Sequence, residues 1–166
     1  MLVGFDDQSG MDRDEAIRVV LTGLAASTEL DELIAAVSAL HRRHDTFPGE
    51  VMLELAAAVF ADTTFAGAGP IPYEGLREVH LADYELVGKE NARFRFAVHC
   101  SASIAGGLEP DLLEELCWWQ SDDFWRYSVL ALVSVARASA ERRGLTIAEV
   151  ARQLGERHGV SLPGTE

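Results

Sequence analysis

The sequence predicts an all-α fold, a compact multi-helix bundle or orthogonal array of about eight helices, and three observations carry that expectation. Apolar residues recur at helical spacing along most of the chain. Ser, Thr or Asp precedes several of these stretches, with an acid three residues further on, as at a capped helix start. Gly and Pro are gathered in one internal break, at about 62–72, and Gly also follows several of the stretches.

The elements follow in order. Asp12 with Glu15 opens a first helix, on which Ile17, Val20, Leu21 and Leu24 share a face. Thr28 with Asp31 opens a second, striped by Leu30, Leu33, Ile34, Val37 and Leu40. Pro48 suits a first helical position, and Met52, Leu55, Ala56 and Val59 follow on one side. An internal break at about 62–72, rich in Thr, Gly and Pro, comes next. Beyond it Tyr73, Leu76, His80, Tyr84 and Val87 predict a helix stopped by Gly88.

Residues 92–105 carry two signals. Phe94, Phe96, Val98 and Cys100 alternate as a strand would, whereas Gly106-Gly107 reads as a helix C-cap. A lone strand has nothing to pair with, so helix is expected. Pro110 begins a helix through Leu112, Leu113, Leu116 and Cys117, and Ser121 with Asp122 caps a long one from about Asp123 to Arg143. Between Val129 and Ala136 that helix is apolar on nearly every side, which makes it the buried centre. Thr146 with Glu149 boxes a last helix along Ile147, Val150, Ala151 and Leu154, and the tail from Gly159 is expected to be loose.

The 166 residues suit a single domain spanning 1–166, and 48% hydrophobic with 25% charged residues is a globular composition. The longest apolar run, Tyr127 to Ala136, is about half of what a bilayer span needs. The residues Met1 to Asp7 have neither the basic nor the long apolar region of a secretion signal, so the expected location is the cytoplasm. Cys100 and Cys117 read as separate buried thiols. A formal net charge of −13 repels nucleic acid and anionic lipid. The basic pairs Arg42-Arg43 and Arg142-Arg143 each close a helix, where cations meet the negative end of its dipole.

Few positions suggest chemistry. His41 and His44 lie one turn apart at the edge of the second helix's apolar stripe, followed by Asp45, a set that could contribute metal ligands. The dipeptide His44-Asp45 resembles the centre of the phosphohydrolases named for a His-Asp pair, which implies a metal-dependent hydrolase. That family's more distant upstream histidine has no counterpart here. His80 and His99 are isolated, and neighbours such as His99 and Cys100 point about 100° apart on a helix. No phosphate loop, dinucleotide fingerprint, His-Glu-x-x-His or Cys-x-x-Cys occurs, and no cofactor is expected.

Trp118, Trp119, Asp122, Asp123 and Trp125 make an aromatic and acidic cluster at a helix junction, the expected interaction surface. Adjacent tryptophans cannot both point into one core. Arg143 to Gly155 is similar to the first helix of helix-turn-helix DNA-binding domains, but Glu156 to Glu166, with Gly159 and Pro163, lacks the pattern of a recognition helix. The expected function is therefore a protein-interaction or regulatory module that binds another protein or itself. A metal-dependent hydrolase using His41, His44 and Asp45 is the alternative.

Overall fold

A computed structural model describes residues 12–44, 47–65, 67–69, 71, 75–107 and 124–162. Within them the chain forms seven helical elements and no strand. The expected helix at 110–117 lies outside the described residues.

Helix α1, Arg13–Ala25, is capped by Asp12, whose carboxylate accepts the Asp14 amide at 3.0 Å. Helix α2, Leu30–His44, starts with Asp31 and Glu32 and ends with His41, Arg42, Arg43 and His44, so its charges oppose its dipole at both ends. Helix α3, Gly49–Phe65, follows Pro48. It is apolar well beyond the single face expected, since Val51, Leu53, Ala57 and Phe60 are buried along with Met52, Leu55, Ala56 and Val59.

Helix α4, Lys89–Ala105, settles the ambiguous 92–105 stretch as helix. Phe94, Ala97, Val98 and Ser101 are its buried stripe, and the Gly106 amide caps it by donating to Ala102. Helix α5, Phe124–Arg143, is buried at every position from Tyr127 to Ala136. Helix α6, Ile147–Arg157, begins in a complete capping box. The Thr146 hydroxyl accepts the Glu149 amide at 3.1 Å, and the Glu149 carboxylate accepts the Thr146 amide at 2.9 Å.

Helix α5 is the centre. Its most extensive contact is with α3, and it also packs on α4 and α6. Helix α1 lies mainly on α6, and reaches α2 and α3 less extensively. The α3–α5 approach is close at their N-terminal ends, where a Cβ on Gly49 would stand 3.2 Å from both the Ser128 hydroxyl and the Trp125 Cα. Deeper in, Thr63 and Ser139 are fully buried and join hydroxyl to hydroxyl at 2.5 Å. Thr63 spends its one proton on the Val59 carbonyl, so Ser139 is the donor between them.

Three expectations need correction. The break does not begin at Asp62, because residues 62–65 continue α3 and Thr63 and Thr64 bond back to carbonyls four residues earlier. The tail is not loose at Gly159. Val160 and Leu162 are buried, and the Val160 carbonyl lies so near Gly155 that a Cβ there would be 2.7 Å from it. Within the described residues 75–87, the predicted helix is instead a five-residue π-helical turn, Leu76–His80, followed by bends, and Gly88 is the N-cap of α4 instead of a stop.

Candidate functional site

The segment Gly75–Gly88 is built unlike the rest of the molecule. Gly75 has φ 90° and Gly88 has φ 58° with ψ −124°, backbone conformations that favour glycine, so the chain turns sharply at both ends. Leu76, Leu81 and Leu86, each five residues from the next, are buried. Leu76 opens the π turn and Leu81 and Leu86 fall in the irregular chain beyond it, and their spacing does not match an α-helix, whose apolar positions recur every three or four residues.

Helix α5 fastens this strap through Arg137. Its guanidinium donates to the His80 carbonyl at 2.8 Å and to both Asp83 oxygens, at 2.8 and 3.3 Å. The pair holds the Asp83 carboxyl below its ordinary value, with the Arg137 hydrogen bond as the main cause. Burial lowers the pKa of His80, nearby Glu141 opposes that, and Arg137 adds to it. Tyr84 moves the other way, since burial of its phenol raises its pKa. It is a neutral hydroxyl at ordinary pH.

Fastened inward in this way, the strap turns two apolar side chains outward. Val79 is 62% exposed and Val87 is 61% exposed, and they are the exposed large hydrophobic side chains among the described residues. The strap also lines a cleft of about 720 Å³ with Glu78, Asp83 and Glu85, joined by Asp31 and with Arg77 as the cation. A second cleft, of about 990 Å³, opens between the π turn and α4. Its apolar edges come from Leu76, Phe94 and Val98, and its polar groups include Arg77, Glu78, Arg95 and His99. The π turn thus divides an acidic cleft from a mildly cationic, more apolar one.

The residues singled out in the sequence are dispersed. The His41 ring packs on Trp125, with centroids 5.4 Å apart, and its Nδ1 is buried with no hydrogen-bond partner among the described residues. His44 turns to α1, with Nε2 3.9 Å from Glu15. Asp45 lies outside the described residues, and among those described no three His, Cys, Asp or Glu side chains converge as a metal site would require. Trp125 is a core residue, 6% exposed, touching Phe47 as well as His41. Trp118, Trp119, Asp122 and Asp123 lie outside the described residues, as does Cys117. His99 is exposed while Cys100 is buried, so the two diverge as helical neighbours do. His80, expected on an apolar face, is half-buried and serves the strap through its carbonyl.

Val79, Val87 and Arg137 escaped the sequence reading. Val87 even counted as one of the inward residues of a regular helix. The available signal was the five-residue recurrence of leucine between two glycines. The helix similar to that of DNA-binding domains is followed by a turn and by the packed Val160 and Leu162, with no second helix among the described residues. No helix among the described residues is long and apolar enough to cross a membrane. Comparison with protein families, with curated proteins and with solved structures finds no match to this chain.

Proposed function

We propose that this chain is a helical protein-binding module whose partner presents a basic, apolar segment to the strap Gly75–Gly88. One observation carries the reading. The two large hydrophobic side chains exposed among the described residues both stand on this short segment, whose Glu78, Asp83 and Glu85 also line a cleft dominated by carboxylates. Scattered exposed apolar residues are ordinary, but a concentration on one rigidly fastened strap favours a contact surface.

Charge selects the partner. The net −13 steers cations toward the molecule, and the acidic cleft supplies short-range complementarity for Lys or Arg on the same strap. A second copy of the chain would bring acid against acid on this face, so the partner is a different, basic chain. Arg137 pre-orders the strap, which lowers the entropy lost on docking.

Selection from a displayed random-peptide library on the purified protein, with counter-selection on Val79→Asp/Val87→Asp, tests this reading. Enriched peptides are expected to combine Lys or Arg with small apolar residues. Enrichment of acidic peptides, or of peptides held equally by the double variant, contradicts it.

A further inference from the structure

We propose that the second cleft, between the π turn and α4, is a binding site for a small apolar monoanion, with a carboxylate as its head group. This cleft adjoins the proposed partner surface, sharing Arg77 and Glu78 with the acidic cleft, but its apolar edges and Arg95 belong to it and not to that surface.

Size and lining come first. At about 990 Å³ the cleft is at the upper end of what encloses a small organic ligand. Leu76, Phe94 and Val98 offer apolar edges, and the methylene stems of Arg77 and Arg95 extend that surface while their guanidinium groups stay in water. Ala92, Arg95 and His99 follow one another at helical spacing along the side of α4 that faces the cleft.

The charge count then fixes the head group. Arg77 is 3.6 Å from Glu78, so those two largely cancel. Arg95 is exposed and forms no ion pair within the described part of the chain. The charged lining groups therefore leave one net positive charge, that of Arg95. A planar carboxylate matches a guanidinium through two parallel hydrogen bonds. The chain's field of −13 penalises each further negative charge on a ligand, so polyphosphates and polyacids are disfavoured where a monoanion is admitted. A cationic amphiphile meets the wrong sign at Arg95.

Calorimetric titration with decanoate, decanol and decylammonium tests the assignment on the full chain and on Arg95→Glu and Ala92→Trp. Both substituted positions are exposed on α4, and unchanged circular dichroism confirms that the variants fold. Decanoate is expected to saturate one site and to bind more tightly than decanol, with decylammonium the weakest. Arg95→Glu should weaken decanoate about tenfold or more and leave decanol unchanged. Ala92→Trp should fill the mouth and weaken both. The proposal is overturned if decanoate binds no better than decanol, if Arg95→Glu leaves its affinity unchanged, or if no ligand saturates. The peptide selection is read against Val79→Asp/Val87→Asp and the titration against Arg95→Glu and Ala92→Trp, none of which is shared, so either proposal can fail without the other.

Discussion

Arg137 grips Asp83 through both carboxylate oxygens and, with the same guanidinium, accounts for the carbonyl of His80. One side chain of the central helix thereby holds a surface segment that has few buried anchors besides three leucines. Removing it should loosen the strap while leaving the bundle folded. Both partners are partly exposed, which discounts the ion pair, so Arg137→Met is expected to cost only about 1 kcal/mol in global stability by urea unfolding. Amide exchange should accelerate across residues 76–86 and stay slow in α3 and α5. Equal acceleration everywhere would show that the clamp is not local.

Acid should act on the same segment. The folded pKa of Asp83 is depressed, so its contribution is present above the ordinary aspartate value and is lost as pH falls through the lower, folded one. His80 is also depressed, by burial. Its neutral form is the one the fold prefers, and the strap loses stability as pH falls below the ordinary histidine value toward the folded one. Side-chain NMR titration should place both midpoints below their ordinary values. In Arg137→Gln the Asp83 midpoint should return toward the usual carboxylate range.

The hydroxyls of Thr63 and Ser139 form a buried polar contact inside the most extensive helix interface among the described residues. Thr63→Val strands the Ser139 proton and should cost about 1–2 kcal/mol. Ser139→Ala leaves Thr63 bonded to Val59 and should cost less. The double variant should cost clearly less than the two added together, as contacting partners do in a double-mutant cycle. Strict additivity would mean that the hydroxyls are not coupled.

His41 presents a different case, a ring packed on Trp125 with a buried nitrogen that has no partner among the described residues. His41→Phe keeps the ring contact and removes that atom, so thermal unfolding should find it neutral or stabilised by up to about 1 kcal/mol. A loss of several kcal/mol would show that Nδ1 has a partner essential to the fold.

Much of the fold was legible because local signals and burial agree. In α1 and α6 the apolar stripe and the N-cap agree, in α2 the stripe agrees with the charges at both ends, and Thr146 with Glu149 forms the box its spacing announces. Helix α4 was decided by Gly106 over the alternation at 94–100, since the alternation had no partner strand. The strap was misread because Leu76, His80, Tyr84 and Val87 also fit an α-helical period. The contacts that accompany its observed path are long-range, with Arg137 more than fifty residues away in sequence and three leucines buried five residues apart. The candidate site fared worse for the same reason. Exposure of Val79 and Val87 is a tertiary outcome, and the histidines at 41 and 44 were parted by what faces them, Trp125 and Glu15.

The central claim is that a basic partner segment docks on the strap. Fluorescence anisotropy of one selected, labelled peptide against the wild-type chain and against Val79→Asp/Val87→Asp tests it most directly. Both valines are exposed, so the double variant should unfold within about 0.5 kcal/mol of wild type. The account predicts at least a tenfold loss of affinity in that variant and weaker wild-type binding as salt rises. Equal affinity for the two proteins, or binding indifferent to salt, would contradict it.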